Sequence, residues 1–290
     1  MAPALTFIYI AEPPDYAVMA CTLLASIRKF FPPETRAVGY CPDHRMTDLH
    51  PAVLEAHRMM GAEIRPMRTA GMWDSDYPHG NKILAAMQPR DGDHAAFIDS
   101  DVLFLRPNDP AALIRAGHVS CSVAASMVWA GKEIWPPIWQ AAGLSVPTER
   151  VRLMRRPKHP VVPYFSSGLV VFPEGGDTGF AGTWYDTARR IDRIETLENR
   201  RPYLDQMALA PAIRRAGLDW NILPEEQHFI LGGRLRGQPL PEDRPIYTIH
   251  YRRKKVLKEI GLHKVARQIL REAIGVTCVR RLTERAEHGE

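Results

Sequence analysis

The stretch AAFIDSDVLFLRP, Ala95 to Pro107, decides how this chain folds. Its apolar run ends at Ile98, and Asp99 and Asp101 follow with one serine between them. A run with no polar face suits a strand covered on both sides, so it is predicted to lie inside a parallel sheet. Alternate side chains of an extended chain share a face, so both carboxylates are expected to leave the strand end together. Two like charges about 4 Å apart repel by roughly 4 kcal/mol at an effective dielectric near 20. Protonation of one acid, solvation of both, or a cation between them relieves this repulsion. At the carboxyl end of a buried parallel strand, where open α/β sheets bind ligands, the cation is the simplest remedy. The same triplet at Asp74–Ser75–Asp76 lacks that setting. Gly71, Met72 and Trp73 make no buried strand and Tyr77–Gly80 make a turn, so these acids are read as solvated loop residues.

Outward from the quoted stretch, apolar runs alternate with helical patterns. LTFIYI, RAVGYCP, GAEIRPM and HAAFIDSD read as strands; the segments after residue 15, LHPAVLEAHRMM and NKILAAMQ read as helices. This order predicts an α/β fold with a mostly parallel, doubly wound sheet. After Pro107 the pattern is mixed. HVSCSVAASMVW, SSGLVVFP and PIYTIH look like strands, and FAGTWYDTARRIDRI and YLDQMALAPAIRRAG like helices. The basic, proline-broken SVPTERVRLMRRPKHPVVP between them reads as a long loop, either over an opening or simply solvated. The expected organisation is one domain over 1–250, with a nucleotide-binding half 1–106 and an acceptor-facing half 107–250. A basic helical tail, 251–290, follows.

A strand followed by Asp-x-Asp also fits haloacid-dehalogenase-like phosphohydrolases, in which Asp99 would be the nucleophile. Those enzymes need a later acidic pair, and Gly176–Asp177 has Ala181 where the second acid should stand. With FIDSDVLFL placed mid-chain, residues 5 to 255 instead resemble GT-A glycosyltransferases, in particular the retaining family 8 enzymes related to glycogenin and bacterial galactosyltransferases. That resemblance implies Asp99 and Asp101 as ligands of Mn²⁺ or Mg²⁺ against a nucleotide-sugar diphosphate, with Ser100 at the ribose. IAEPPDYAVMACTLLASI resembles the family's base-binding opening and gives Ala11, Glu12 and Tyr16 that task, the extra proline and the Glu being departures. NKILAAM points to Lys82 as the basic residue reaching sugar and phosphate. YFSSGLVVF matches the family's Asn-Ser-Gly segment with Ser166 in place of Asn. YLDQMALA matches its Asp-Gln pair beside the anomeric carbon and implies Asp205 and Gln206 as catalytic. YTIHYRRKK resembles its closing segment, which makes His250 the third metal ligand. The usual Gly and Lys-Pro-Trp are absent, so Lys255, with Lys254 as the alternative, is left for the phosphate contact. The implied reaction is transfer of a hexose from a UDP-sugar to a saccharide, lipid-linked or protein acceptor, with retention. A non-catalytic nucleotide-sugar binder stays open beside it.

Lys+Arg exceed Asp+Glu by 38 to 33, a balance that favours anionic partners without naming them. No nucleic-acid-reading module or stacking-aromatic pattern accompanies the arginine-rich end, so nucleic acid is not expected. The four cysteines are far apart with no CxxC, so reduced core thiols of a cytoplasmic protein are expected. No run reaches the roughly 18 apolar residues of a spanning helix. Leu262, Val265, Ala266, Ile269, Ala273 and Val276 form a helical stripe among basic residues. It is expected either to cover the protein's own core or to touch an anionic membrane peripherally.

Overall fold

The computed structural model describes residues 4–127, 131–174, 179–232 and 235–284. The apolar run Leu5–Ile10 is β1, and a proline turn leads into α1 (Asp15–Phe30). Then come β2 (Arg36–Pro42), α2 (Pro51–Met59), β3 (Glu63–Met67), α3 (Asn81–Ala86) and β4 (His94–Ile98). The four strands pair in parallel in the order β3-β2-β1-β4, as the alternating pattern predicts. The chain continues through β5 (Val102–Phe104), β6 (His118–Val123), α4 (Trp135–Ala141), β7 (Val151–Arg152), β8 (Pro160–Val161) and β9 (Phe165–Pro173). It ends with α5 (Phe180–Asp192), α6 (Leu204–Arg215), β10 (Asp219–Ile222), β11 (Phe229–Ile230), β12 (Thr248–His250), α7 (Lys254–Glu259) and α8 (His263–Glu284).

Beyond β4 the sheet continues through β9, β6 and β10, giving seven strands in the order β10-β6-β9-β4-β1-β2-β3. β9 runs antiparallel to both β4 and β6, whereas β10 is parallel to β6. Each central strand divides its side chains between two cores, because the side-chain period of a strand is two. Phe7 and Tyr9 of β1, Ile98 of β4 and Val171 of β9 face one core, with α1, α2 and α8. Ile8, Phe97 and Val170 face the other, with α3 to α6. Burial on both faces is why these strands read as unbroken apolar runs. A second, three-stranded sheet, β11-β12-β5, stands beside the first. Its strands are two or three residues long; β12 lies inside the expected strand PIYTIH, while β5 and β11 are too short for a periodicity to be visible beforehand.

The C-terminal helix is part of the core. Ile269, Leu270, Ile274, Cys278 and Val279 of α8 are buried in the same cluster as Leu24 of α1 and Val53 of α2. The expected stripe is corrected in its phase: Ala266 and Ile269 are buried, but Val265 and Val276 are 42% and 58% exposed. Gly275, at φ 74°, breaks the helix, and Leu270 and Ile274 occupy the inward face instead. All four cysteines are buried free thiols. No described helix is long and apolar enough to cross a membrane.

Candidate functional site

The acid pair does not sit in extended chain. The Val102 N–H donates to the Asp99 carbonyl at 3.1 Å, so Asp99–Ser100–Asp101 is a turn between β4 and β5. The turn moves the chain from the large sheet to the small one. There β12 pairs antiparallel with β5, with His250 opposite Val102. That register, not sequence proximity, carries an imidazole from far down the chain to the acids. His250 Nε2 lies 3.1 Å from Asp101 Oδ1 and 3.7 Å from Asp99 Oδ2. One ligand atom from each of Asp99, Asp101 and His250 lies within 4.8 Å of the others. Two carboxylate oxygens and one imidazole nitrogen, mostly buried, fit a divalent ion of the Mg²⁺ or Mn²⁺ kind by donor chemistry. Burial works against charge on Asp101, but His250 and Lys82 outweigh it and hold its carboxyl below the usual range.

Lys82 joins this cluster to a second one. Its Nζ lies 3.1 Å from Asp99 Oδ1 and 3.1 Å from Asp205 Oδ2, and donates to the Ser167 hydroxyl at 3.1 Å. Burial disfavours the ammonium, yet Asp99 and Asp205 hold its pKa above the ordinary lysine value. Asp205, second residue of α6, spends no oxygen on capping its own helix. Its Oδ1 accepts from the Tyr77 hydroxyl at 3.2 Å and its Oδ2 from the Ser167 hydroxyl. Tyr77 in turn accepts from the Asp205 N–H at 3.1 Å. Burial is again outweighed, by Lys82 and Ser167, and Asp205 stays below the ordinary carboxylate range.

Both clusters open on one cleft of about 770 Å³. Glu12, Tyr16, Ser100, Ser166 and Gln206 also line it. Glu12 is held by Asn81 Nδ2 at 3.4 Å and by Arg45 at 3.5 Å, and the Ser100 hydroxyl donates to the Ile10 carbonyl. The Ser166 hydroxyl accepts from the Gly168 N–H at 3.2 Å and lies 3.4 Å from Nε2 of His228. Burial first, and then neighbouring His250, push His228 well below the usual histidine pKa, so a neutral imidazole backs His250. Two expected site residues lie elsewhere. Ala11 is fully buried behind the lining, its N–H on the Tyr40 carbonyl at 2.8 Å. Lys255 is absent from the lining, and Lys254 is tied to Asp15 at 2.7 Å. The cationic wall consists of Arg155, Arg236, Arg252 and Arg253.

Sequence reasoning gave no site role to Tyr77, Ser167, His228 or these arginines. The signals for them were the basic run RVRLMRRPKHP, the doubled arginine in YTIHYRRKK and the doubled serine before Gly168. The upstream triplet is a surface feature: Asp74 pairs with Arg189 at 3.0 Å and Arg193 at 3.1 Å. Gly176–Asp177, the candidate second acidic element of a phosphohydrolase, lies outside the described residues, as do Val128 and Trp129 of the predicted strand ending there.

Residues 7–217 match the Rhodobacterales glycosyltransferase domain. The chain belongs to that family. The matched span of this glycosyltransferase holds Lys82, Asp99, Asp101, Asp205 and Gln206, while His250, Arg236, Arg252 and Arg253 lie beyond it. Glycosyl transfer by such a domain uses a nucleotide-sugar donor and an acceptor, which favours this chemistry over a phosphohydrolase for Asp99. No curated protein matches the chain.

Proposed function

We propose that this glycosyltransferase is a metal-dependent enzyme of the GT-A type, moving a hexose from a UDP-sugar to its acceptor with retention, in the cytoplasm. The observation that carries the reading is the convergence of Asp99, Asp101 and His250 within 4.8 Å beside the Lys82–Asp205 pair, all on one cleft. The strand order, with β9 antiparallel beyond β4 and an acid pair leaving β4, supports the GT-A assignment.

Asp99, Asp101 and His250 hold the ion, Mn²⁺ being favoured by the imidazole nitrogen. When bound, the ion supplies Lewis-acid charge neutralisation for a departing diphosphate. Glu12, Tyr16 and Ser100 meet the nucleoside, and Ser166 lies at the sugar. Lys82, kept cationic by two carboxylates, adds positive field beside the leaving group. Both oxygens of Asp205 are taken by Tyr77, Ser167 and Lys82, so it is fixed in place as a negative charge facing the oxocarbenium-like sugar. Gln206, partly exposed beside it, is the group that touches the reacting sugar or the acceptor.

A thermal-shift panel of UDP-, GDP- and ADP-sugars with and without Mn²⁺ tests this. The expected result is stabilisation by one nucleotide sugar that requires the ion, with slow hydrolysis of that sugar in water. Stabilisation by Mg²⁺ with beryllofluoride, and by no nucleotide sugar, would instead identify a phosphohydrolase.

A further inference from the structure

The cationic wall of the cleft exceeds what the donor needs. Arg155 is half-buried, and its Nε and one terminal nitrogen, Nη2, are enclosed with no hydrogen-bond partner among the described residues. Enclosed guanidinium donors left unpaired are costly in a folded chain, and groups of this kind ordinarily meet an oxygen. Burial, and then the like charge of Arg252, lower the Arg155 pKa. The two side chains meet over Gly232. A methyl group built there would lie 2.8 Å from Arg155 Nη2 and 3.4 Å from Arg252 Nη1, so both guanidinium groups converge on the backbone at this point. Arg252 itself has φ 62°, a left-handed conformation rarely taken by a long side chain. No carboxylate among the described residues forms an ion pair with Arg155, Arg252 or Arg253.

The acids of the cleft are already engaged: Asp99 and Asp205 with Lys82, Asp101 with His250, Glu12 with Arg45. A divalent ion on Asp99 and Asp101 adds no net charge, and a nucleotide-sugar diphosphate brings about two negative charges. That satisfies two of the guanidinium groups of Arg155, Arg252 and Arg253 and leaves one without an anion. Arg155 also belongs to the later half of the chain. The excursion carrying it is anchored by Met154 N–H on the Ala124 carbonyl at 3.3 Å and Arg155 N–H on the Ala125 carbonyl at 3.2 Å. Glu12, Tyr16 and Ser100, assigned above to the nucleoside, come from the first half of the chain.

We propose that the acceptor is anionic, a saccharide bearing a phosphate or carboxylate, and that Arg155 with Arg252 receives that group. This rests on the donor reading above. Forked guanidinium donors match the paired oxygens of either anion, which a lysine cannot do.

The test titrates glucose 6-phosphate, glucuronate and neutral glucose into protein saturated with Mn²⁺ and whichever of UDP, GDP or ADP it binds best, read by calorimetry. The two acids are expected to bind this complex and glucose at the same concentration is not. Arg155→Gln is expected to weaken acid binding by about tenfold, the loss of a charge-assisted contact, and nucleotide binding by less than about twofold. Arg155→Lys, which keeps the charge but not the fork, should fall between. Displacement of the nucleotide by the acids, or equal weakening of nucleotide and acid by Arg155→Gln, would show the pair to be a donor-diphosphate contact and overturn the proposal. Failure of both acids to bind the saturated protein would overturn it as well. Wild-type protein that binds no nucleotide with Mn²⁺ would sink the donor reading first, a result separable from the other two.

Discussion

Gly168 stands where no side chain fits. A methyl group there would come 2.9 Å from Nε2 of His228 and 2.9 Å from Cε1 and Nδ1 of His250. The imidazole proposed for the metal is therefore seated against bare backbone. Gly168→Ala is expected to displace it and weaken Mn²⁺ binding by roughly tenfold or more, as loss of a ligand-orienting contact does. Isothermal titration with Mn²⁺ measures this, and unchanged affinity in a folded variant would contradict the placement. Lys82 is the other residue with a sharp consequence. Lys82→Met leaves Asp99 and Asp205 facing each other without a cation, and breaking a buried pair from one side costs about 3 to 5 kcal/mol. Urea unfolding should show that loss. The Asp99 and Asp101 pair was legible because an acid pair directly after an apolar run is rare chemistry in a buried strand. Tyr77 and Ser167 were not legible: residues 77, 167 and 205 meet only once the sheet is assembled, and no local pattern encodes that meeting.

Among the elements, α2 carries a pH-sensitive residue. Burial pushes the His57 imidazole from 6.5 down to about 4 in the folded chain, against a backbone bond to Val53 that favours the proton. The folded pKa lies below the unfolded one, so the unfolded chain takes up the proton first. His57 thus contributes no penalty above about pH 6.5, and stability falls as pH drops from there toward about 4. The loss at pH 4.5 is about 2 to 3 kcal/mol. Urea midpoints for wild type and His57→Gln should converge as pH falls from 7 to 4.5, and a constant gap would contradict the assignment. In α8, Leu270→Ala removes a side chain packed in the first core and should cost about 2 to 5 kcal/mol, while Val276→Ala, on the exposed side of the Gly275 break, should cost little. The break is also why the helical phase of this segment was only half legible: a single repeat of 3.6 run through Gly275 assigns Val276 to the wrong face. The long strands and helices were legible from periodicity. β12 was legible inside PIYTIH, whereas β5 and β11 were not, since two or three apolar residues carry no period.

For the whole molecule, the sheet order brings the carboxyl end of β4 to the border between the large and small sheets, where chain ends from both can meet. That border gathers acids from the first half, a histidine from the end and arginines from the later half into one cleft of about 770 Å³. The architecture explains why the α/β class was readable from strand–helix alternation. It also explains why Arg252 and Arg253, not Lys255, line the cleft, since only the folded β12–α7 connection shows which basic side chains face inward. The central claim is that Asp99, Asp101 and His250 together hold a divalent ion that meets the donor's diphosphate. Electron paramagnetic resonance of Mn²⁺ titrated into wild type and Asp101→Asn, each with and without UDP, addresses it most directly. The account predicts one Mn²⁺ per wild-type chain, bound more tightly with UDP present, and loss of both effects in Asp101→Asn. Equal Mn²⁺ affinity in the two proteins, or a wild-type signal indifferent to UDP, would contradict it.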